Sequence, residues 1–568
     1  MSSLINVPTT RAASSPGAVA GSPTDEVLRR SHLVGGNPTL TRAGGGNFSA
    51  KGVVGDVPVL WMSSWGCDGT ATTAEDFPAL RLDDLLELRH AVPLDGPAMV
   101  ERIAATALTA DQRPPGIETL THAFLPAAHV DHCHPDAVIS LTCIPDGRER
   151  AAAEFGDEAI WFDYRQFDMG VAQELADRVA AQPGCRFVLL ANHGIFTWAD
   201  TSDQCYRNSL EAVARARRAL GAAARGRPGD LGGSAVRPLV AGQADDLLDE
   251  LLPVLRGAMR EDRRGIVLST DTSPEAVRFV SSVRGPELTQ AGPGCPDSLV
   301  TVGYRPLALT PTDLTAQGVR AAIERYRSAY VAMFERHADA AARRHGPRRD
   351  LPRVVLLPGL GVVAGGADPA QAAICAEHFA QTRSVIEAAD AAGGYRSLTE
   401  RQGIADEYWP LMRLKPLLRT APGRLAGSVV LVAGATEATG GVVADLHAAG
   451  ANVALAGGGD EPSRPDVVHL RARLSAPEAV VREAVRAFGG FDVLVDLTGV
   501  DDRLLQAAAA VFARQGTPGI FCTAGPTGGR VYDGEHVDVL VEEDPSMVAE
   551  RIIVATTEPP QGSTEDAS

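Results

Sequence analysis

The sequence predicts an α/β protein built in two parts, a longer mixed α/β region followed by a smaller parallel-sheet domain. Three observations carry this. Apolar runs of strand length end in glycine turns, as in VLLANHGIFTW at 188–198 and RVVLLPGLGVVAGG at 353–366. The stretch SVVLVAGATEATGGVVADLHAAGANVALAG at 428–457 reads as strand, glycine-containing turn, helix and second strand, the opening of a parallel α/β unit. Two small-residue segments, GAAARGRPGDLGGSAVR at 221–237 and TAPGRLAGS at 420–428, interrupt the pattern and mark boundaries.

Taken in order, residues 1–24 read as a disordered polar tail, 25–220 as a first α/β domain and 221–415 as an α/β extension of it. Residues 424–558 read as the parallel-sheet domain, and 559–568 as a second disordered tail. A chain of 568 residues is long for one domain, in agreement with this division.

Composition excludes several classes. A net charge of −18 argues against nucleic-acid and anionic-membrane partners. No apolar run is long enough to cross a bilayer, and the N-terminus lacks the basic and apolar segments of a secretory signal. Eight scattered cysteines without a CxxC pair fit a reducing cytoplasm. Only Lys51 and Lys415 are lysines, which limits Schiff-base chemistry.

The strongest chemical signal is IETLTHAFLPAAHVDHCHPDA at 117–137. On a strand alternate residues share a face, so His132 and His134 direct both imidazoles one way. Such a pair is either packing decoration or two adjacent metal ligands. The strand-end Asn192-His193-Gly194 offers a third imidazole, and three histidines with an open position suit catalytic zinc. Glu118, on a predicted helix ahead of the HxH strand, is placed to move protons beside such an ion. His122 has second-sphere and structural readings, and His129 reads as packed or exposed. Cys133 should face away from the ligands, while Asp136 is either a ligand-orienting carboxylate or a helix cap.

With GGGNFSAKG at 44–52, FPALRLDDLLEL at 77–88, NHGIFTW, LLPGLGVV and DEYWPL in this order, residues 25–415 resemble the class II aldolase/adducin superfamily. The whole chain resembles its bifunctional rhamnulose-1-phosphate aldolase/short-chain dehydrogenase members. The resemblance implies that His132, His134 and His193 hold zinc or another divalent metal. It implies that Glu118 relays a proton to and from an enediolate carbon, and that Gly45, Gly46 and Asn47 cradle a substrate phosphate through backbone N–H groups. Trp65, Gly66 and Gly116 fall at further substrate-binding positions. The reaction implied is aldolase-type lysis or formation of a carbon–carbon bond in a small hydroxy-carbonyl substrate, by a homo-oligomer. The superfamily also hosts epimerases, dehydratases, decarboxylases and oxygenases, and non-catalytic adducin-like members.

Departures from the family pattern point to an altered substrate. Phe48, Trp65 and Gly116 stand where hydroxyl-bearing residues are usual, and Pro296-Asp297-Ser298 with Thr301 replaces a PDHxxR stretch. The C-terminal domain resembles a degenerate, truncated Rossmann-like short-chain dehydrogenase. Its glycine turn carries Glu437 and Ala438, the second strand ends in Gly457-Gly458-Gly459, and Asp496-Leu497-Thr498-Gly499 replaces NNAG. No lysine follows Lys415, so Tyr532 has no YxxxK partner. NAD(P) binding is therefore not expected.

Overall fold

The computed structural model describes residues 22–42, 45–67, 69–94, 96–260, 265–410, 423–434, 438–457, 467–497, 502–524, 537–542 and 544–557. The first helix, α1 (Pro23–Gly35), begins inside the segment read as a tail. Ser22 and Asp25 form a reciprocal capping box, and Pro23 presets the first helical turn. The remainder of both expected tails lies outside the described residues.

The first sheet contains β1 (Asn47–Val54), β2 (Val57–Met62), β3 (Ala79–Arg81), β4 (His129–Cys133), β5 (Ala159–Phe162), β6 (Phe187–Leu190) and β7 (Gly194–Ala199), in the order β3-β2-β1-β4-β7-β6-β5. Its central strand β4 pairs antiparallel with β1 on one side and β7 on the other. Helix α2 (Thr119–Phe124) precedes β4, α3 (Asp136–Thr142) follows it, and α4 (Ser202–Ala223) packs behind. Buried Cys205, Ser209, Ala212, Val213, Ala216 and Leu220 recur at three- and four-residue intervals on α4, the stripe a helix needs to cover a sheet.

After a loop comes α5 (Ala241–Met259) and a second sheet of β8 (Val267–Asp271), β9 (Leu307–Ala308), β10 (Val354–Leu357) and β11 (Gly361–Gly366), ordered β8-β11-β10-β9. Helices α6 (Asp297–Thr301) and α7 (Pro369–Ala391) belong to this region.

The third sheet holds β12 (Val429–Ala433), β13 (Asn452–Ala456), β14 (Val467–His469), β15 (Val493–Asp496), β16 (Gly519–Ala524) and β17 (Val537–Glu542). Its order is β14-β13-β12-β15-β16-β17, with every adjacent pair parallel. This is a doubly wound arrangement, with its topological switch between β12 and β15. Helices α8 (Thr439–Ala448), α9 (Pro477–Phe488), α10 (Asp502–Gln515) and α11 (Val548–Thr557) pack against it. Short as the domain is, it builds six strands.

The second and third sheets share one core. Leu251, Leu255, Val355 and Val363 pack in the same apolar cluster as Val429, Leu431, Phe488, Leu494 and Phe512. Within this contact Arg256 is fully buried and donates to Asp492 at 2.6 and 2.9 Å and to the Ile266 carbonyl at 2.7 Å. Arg260 donates to the same carboxylate at 2.8 Å, and the Val429 amide at 2.9 Å. Burial pushes the Asp492 carboxyl up, but the two guanidiniums outweigh it and hold it at about 2. A buried pair satisfied on all sides costs little, whereas removing one member is expensive.

Candidate metal centre

The turn from β6 to β7 and the end of β4 create the site. Leu190 pairs with Gly194, so residues 191–193 form a three-residue hairpin loop, with Asn192 in the left-handed region at φ 53°. The Asn192 side chain pins this turn by donating to the Arg396 carbonyl at 3.0 Å. Gly194 must be glycine, since a Cβ there would run into the Cys133 carbonyl and lie 2.7 Å from the His134 ring.

His132 lies in β4 and His134 just beyond its last residue, and His193 arrives from the hairpin. All three are buried, and their nearest ring nitrogens lie within 4.8 Å of one another. The Nε2 atoms of His132 and His134 are 2.8 Å apart. His132 stacks on Phe196 with ring centroids 4.4 Å apart, and its Nδ1 lies 3.1 Å from the Ile195 carbonyl. That contact makes Nδ1 the donor and leaves Nε2 as a lone-pair ligand atom. His134 turns its Nδ1 to the Asp297 carboxylate. Burial, then the neighbouring imidazoles, pushes His132 well below its usual range. Burial and His134 bring His193 to about 3, against the opposing pull of Asp297. Three buried, converging imidazoles, with the far nitrogen of His132 on a carbonyl and that of His134 on a carboxylate, fit a divalent ion.

Beside them, one face of β1 meets α2. Asn47 pairs with His132 in register and donates from Nδ2 to Glu118 Oε2 at 2.8 Å. Two residues along, Ser49 lies 2.8 Å from His122 Nδ1, and two further on Lys51 donates to the Leu125 carbonyl. Glu118 is the residue immediately before α2 and is buried. The oxygen of the Asn47 amide, Oδ1, is buried and has no hydrogen-bond partner among the described residues. Burial pushes Lys51 down to about 8 and His122 well below its usual value. His129 instead packs against Arg30 and Glu26, away from the triad's face.

The glycine turn is tightly fitted. At Gly45 a Cβ would lie 3.0 Å from His134 Nδ1 and 3.4 Å from Asp297, and Gly46, at φ 92°, would meet the His132 carbonyl. These contacts account for both glycines without any ligand. Phe48 does not join the site. Strand alternation that turns Asn47 inward turns Phe48 outward, into an apolar cluster with Val27, Val34 and Cys133. Trp65 is partly buried beside Leu60 and Ile117, and Gly66 takes φ 74° in the following turn. The Gly116 amide donates to the Ser63 carbonyl at 3.0 Å. The neighbouring Ser64 hydroxyl is buried and has no hydrogen-bond partner among the described residues. Asp136 opens α3, pairs with Arg42 at 3.1 Å and accepts from Gln381 at 3.1 Å.

A cavity of about 230 Å³ lies elsewhere, lined by Gln290, Tyr304, Arg305, Tyr326, Tyr330 and Met333, and it includes none of the triad. In the C-terminal domain Gly434 has φ 119°, and Ala438 caps α8 without a side-chain hydrogen bond. Glu437, Gly458, Gly459, Thr498, Gly499, Tyr532 and Lys415 lie outside the described residues. Among the described residues no helix is long and apolar enough to cross a membrane.

Residues 26–220 match the class II aldolase and adducin N-terminal domain, and residues 246–415 match the class II aldolase second domain. The chain is 30% identical over 503 residues to the uncharacterized oxidoreductase YuxG of Bacillus subtilis (strain 168), an alignment covering 84% of this chain and 72% of that one. Among solved structures it is similar to the N-terminal class II aldolase domain of a conserved Thermoplasma acidophilum protein. That match has 27% identity and a TM-score of 0.34, and covers 37% of this chain and 98% of that one. The L-fuculose-1-phosphate aldolase of Thermus thermophilus is 16% identical with a TM-score of 0.25, over 35% of this chain and 93% of that one.

Proposed function

Because this chain belongs to the class II aldolase and adducin family, we propose that it is a divalent-metal-dependent lyase, with zinc as the preferred ion, acting on a hydroxy-carbonyl substrate. The observation that carries this reading is the convergence of three buried imidazoles beside a buried carboxylate. His132, His134 and His193 would hold the ion. A bound divalent cation supplies Lewis acidity, which polarises a carbonyl oxygen and acidifies the adjacent carbon. Glu118 takes the proton at the reacting carbon and returns it, with Asn47 fixing one carboxylate oxygen so that the other is presented to substrate. Phe167 and Phe196 close on the ligand rings and limit water.

The substrate is read as differing from the usual sugar phosphates. Two replacements support this, Trp65 and Gly116, which remove hydroxyl donors from the substrate loops. Phe48 does not contribute, since it faces the core. A carbon–carbon cleavage screen of zinc-loaded protein tests both parts of the reading. Turnover is expected on a non-phosphorylated or bulkier hydroxy-carbonyl compound, with little on rhamnulose-1-phosphate or fuculose-1-phosphate. Efficient cleavage of either phosphate ester would sink the substrate reading, and no lyase activity on any hydroxy-carbonyl would sink the reaction.

The protein is further read as a cytoplasmic homo-oligomer. None of the eight cysteines forms a disulfide, which supports a reducing compartment. Val53, Val54 and Val57 at the tip of the β1–β2 hairpin are exposed, an apolar patch suited to self-association. A monomeric mass by light scattering would remove the oligomer. A second reading, redox chemistry by the C-terminal domain, draws on the doubly wound sheet and on the oxidoreductase name of the Bacillus subtilis relative.

A further inference from the structure

The region 246–415 reaches the metal centre at several points. Asp297, the first residue of α6, sets its carboxylate against His134 Nδ1, on the far side of the ring from the converging Nε2 atoms. Cys295 donates from Sγ to the His193 carbonyl at 3.4 Å. Gln381 on α7 donates to the His134 carbonyl at 2.9 Å. Glycine at residue 45 leaves room beside the His134–Asp297 contact, as a Cβ there would lie 3.0 Å from His134 Nδ1 and touch the Asp297 carboxylate.

An imidazole that coordinates through Nε2 must carry its proton on Nδ1. A carboxylate on Nδ1 fixes that tautomer, sets the ring's rotation and raises the basicity of the ligating nitrogen. His132 has the weaker version, a backbone carbonyl on Nδ1. His134 follows the end of β4 and lacks the strand's hydrogen-bond ladder, so its orientation needs another source of restraint.

We propose that Asp297 is the positioning residue of His134, and that the region 246–415 thereby forms a working part of the metal centre. This rests on the metal reading above. Three consequences follow in chemical terms. Asp297 compensates one positive charge of the cation without ligating it. Its position at the start of a helix in the second region ties ligand geometry to the packing of that region. The first domain alone carries all three ligands but not this support.

The test is zinc affinity of the full chain, measured by competition with a chelating dye. Asp297→Asn is expected to weaken binding roughly 10- to 100-fold, the usual cost of losing an outer carboxylate partner. Its apo form is expected to unfold at the same temperature as the unsubstituted chain. Asp297→Glu keeps the charge but carries the oxygens a methylene farther, so it should recover only part of the affinity and shift the visible absorption of the cobalt(II)-loaded protein. Zinc affinity of Asp297→Asn within twofold of the unsubstituted chain overturns the proposal, as does full recovery by Asp297→Glu with an unchanged cobalt spectrum, which would mean charge alone. Should the Asn variant not fold, the cobalt spectrum of Asp297→Glu decides alone. The His132→Ala/His134→Ala/His193→Ala chain separates the two readings: retained zinc there defeats the metal site itself, whereas lost zinc there with intact affinity in Asp297→Asn defeats only the role of Asp297.

Discussion

At the end of β4 the chain concentrates buried polar side chains, three imidazoles and Glu118 among them, and nearly every one has a named partner. At the carboxyl ends of β12 and β13 it offers Gly434, Ala438 and Gly457 instead. Yet the strands below those glycines are as fully buried as β4. The contrast shows that a sheet's packing and the chemistry at its rim are separable. A core of Val429, Leu431 and Leu494 needs only volume and apolarity, while a metal or cofactor site needs particular atoms at particular distances. On the function proposed above, the C-terminal domain keeps the first property and the histidine region keeps both.

The largest expected effect falls on the metal region. Replacing His132, His134 and His193 together with Ala should remove bound zinc entirely, as read by elemental analysis of the purified protein. The same variant should leave the far-ultraviolet signature of the parallel-sheet domain in place. Unchanged metal content would transfer the ligand role to other residues.

Next in size is the joint between the regions. Asp492→Ala leaves Arg256, fully buried, and Arg260 without their carboxylate. A loss of about 3–5 kcal/mol is expected. It should appear as an earlier denaturant transition for the C-terminal domain and for the second sheet together, because they share one core. At a temperature where the variant remains folded, zinc stoichiometry should not change. A transition confined to the C-terminal domain would show that the shared core does not couple the two.

These two predictions concern features of unequal legibility. The pairing of His132 with His134 is readable because strand geometry repeats every two residues. The same period places Phe48 on the face opposite Asn47, so its absence from the site is also readable, although comparison by position alone puts it beside the substrate. Gly45 and Gly46 read as a phosphate cradle, whereas the structure adds steric reasons that only the nearby His134 and His132 backbone reveal. Asp297 and Gln381 lie far along the chain from the ligands, and no local period announces a contact made by tertiary folding. The Arg256–Asp492 pair is hidden for the same reason: in sequence each is one charged residue among many. Strand existence in the C-terminal domain is plain from its apolar runs, while the order of six strands emerges only with the fold.

A smaller effect is expected at the proton mover. Glu118→Gln keeps the shape of the side chain and an oxygen to accept from Asn47, but it cannot take a proton. Turnover should fall by roughly a hundredfold or more, with KM and zinc content little changed. An unchanged kcat would move the acid/base role to another group, and a parallel loss of zinc would mean that Glu118 supports the ion directly.

The smallest expected effect is none at all, and it bears on the other side of the comparison. Adding NAD or NADP to the full chain should produce no calorimetric binding signal in the micromolar range. Dinucleotide sites on doubly wound sheets use a glycine-rich first turn for close pyrophosphate approach, and a side chain at the end of the second strand for the ribose. In the sequence Glu437 and Ala438 replace two residues of the glycine-rich pattern, and their added charge and methyl group are expected to disfavour a diphosphate. The second strand runs into Gly457, Gly458 and Gly459, which have no side chain to offer the ribose hydroxyls. Nicotinamide chemistry then needs a proton donor, and no lysine beyond Lys415 is available to pair with Tyr532. One such change is open to compensation by neighbouring backbone, but each of the three removes a different contribution to binding or transfer. The relative's oxidoreductase name makes the measurement decisive rather than routine. Micromolar affinity for either dinucleotide, or reduction of one by the intact protein with a sugar alcohol, would mean that the C-terminal domain retains site chemistry as well as packing, and the contrast with the metal region would fall.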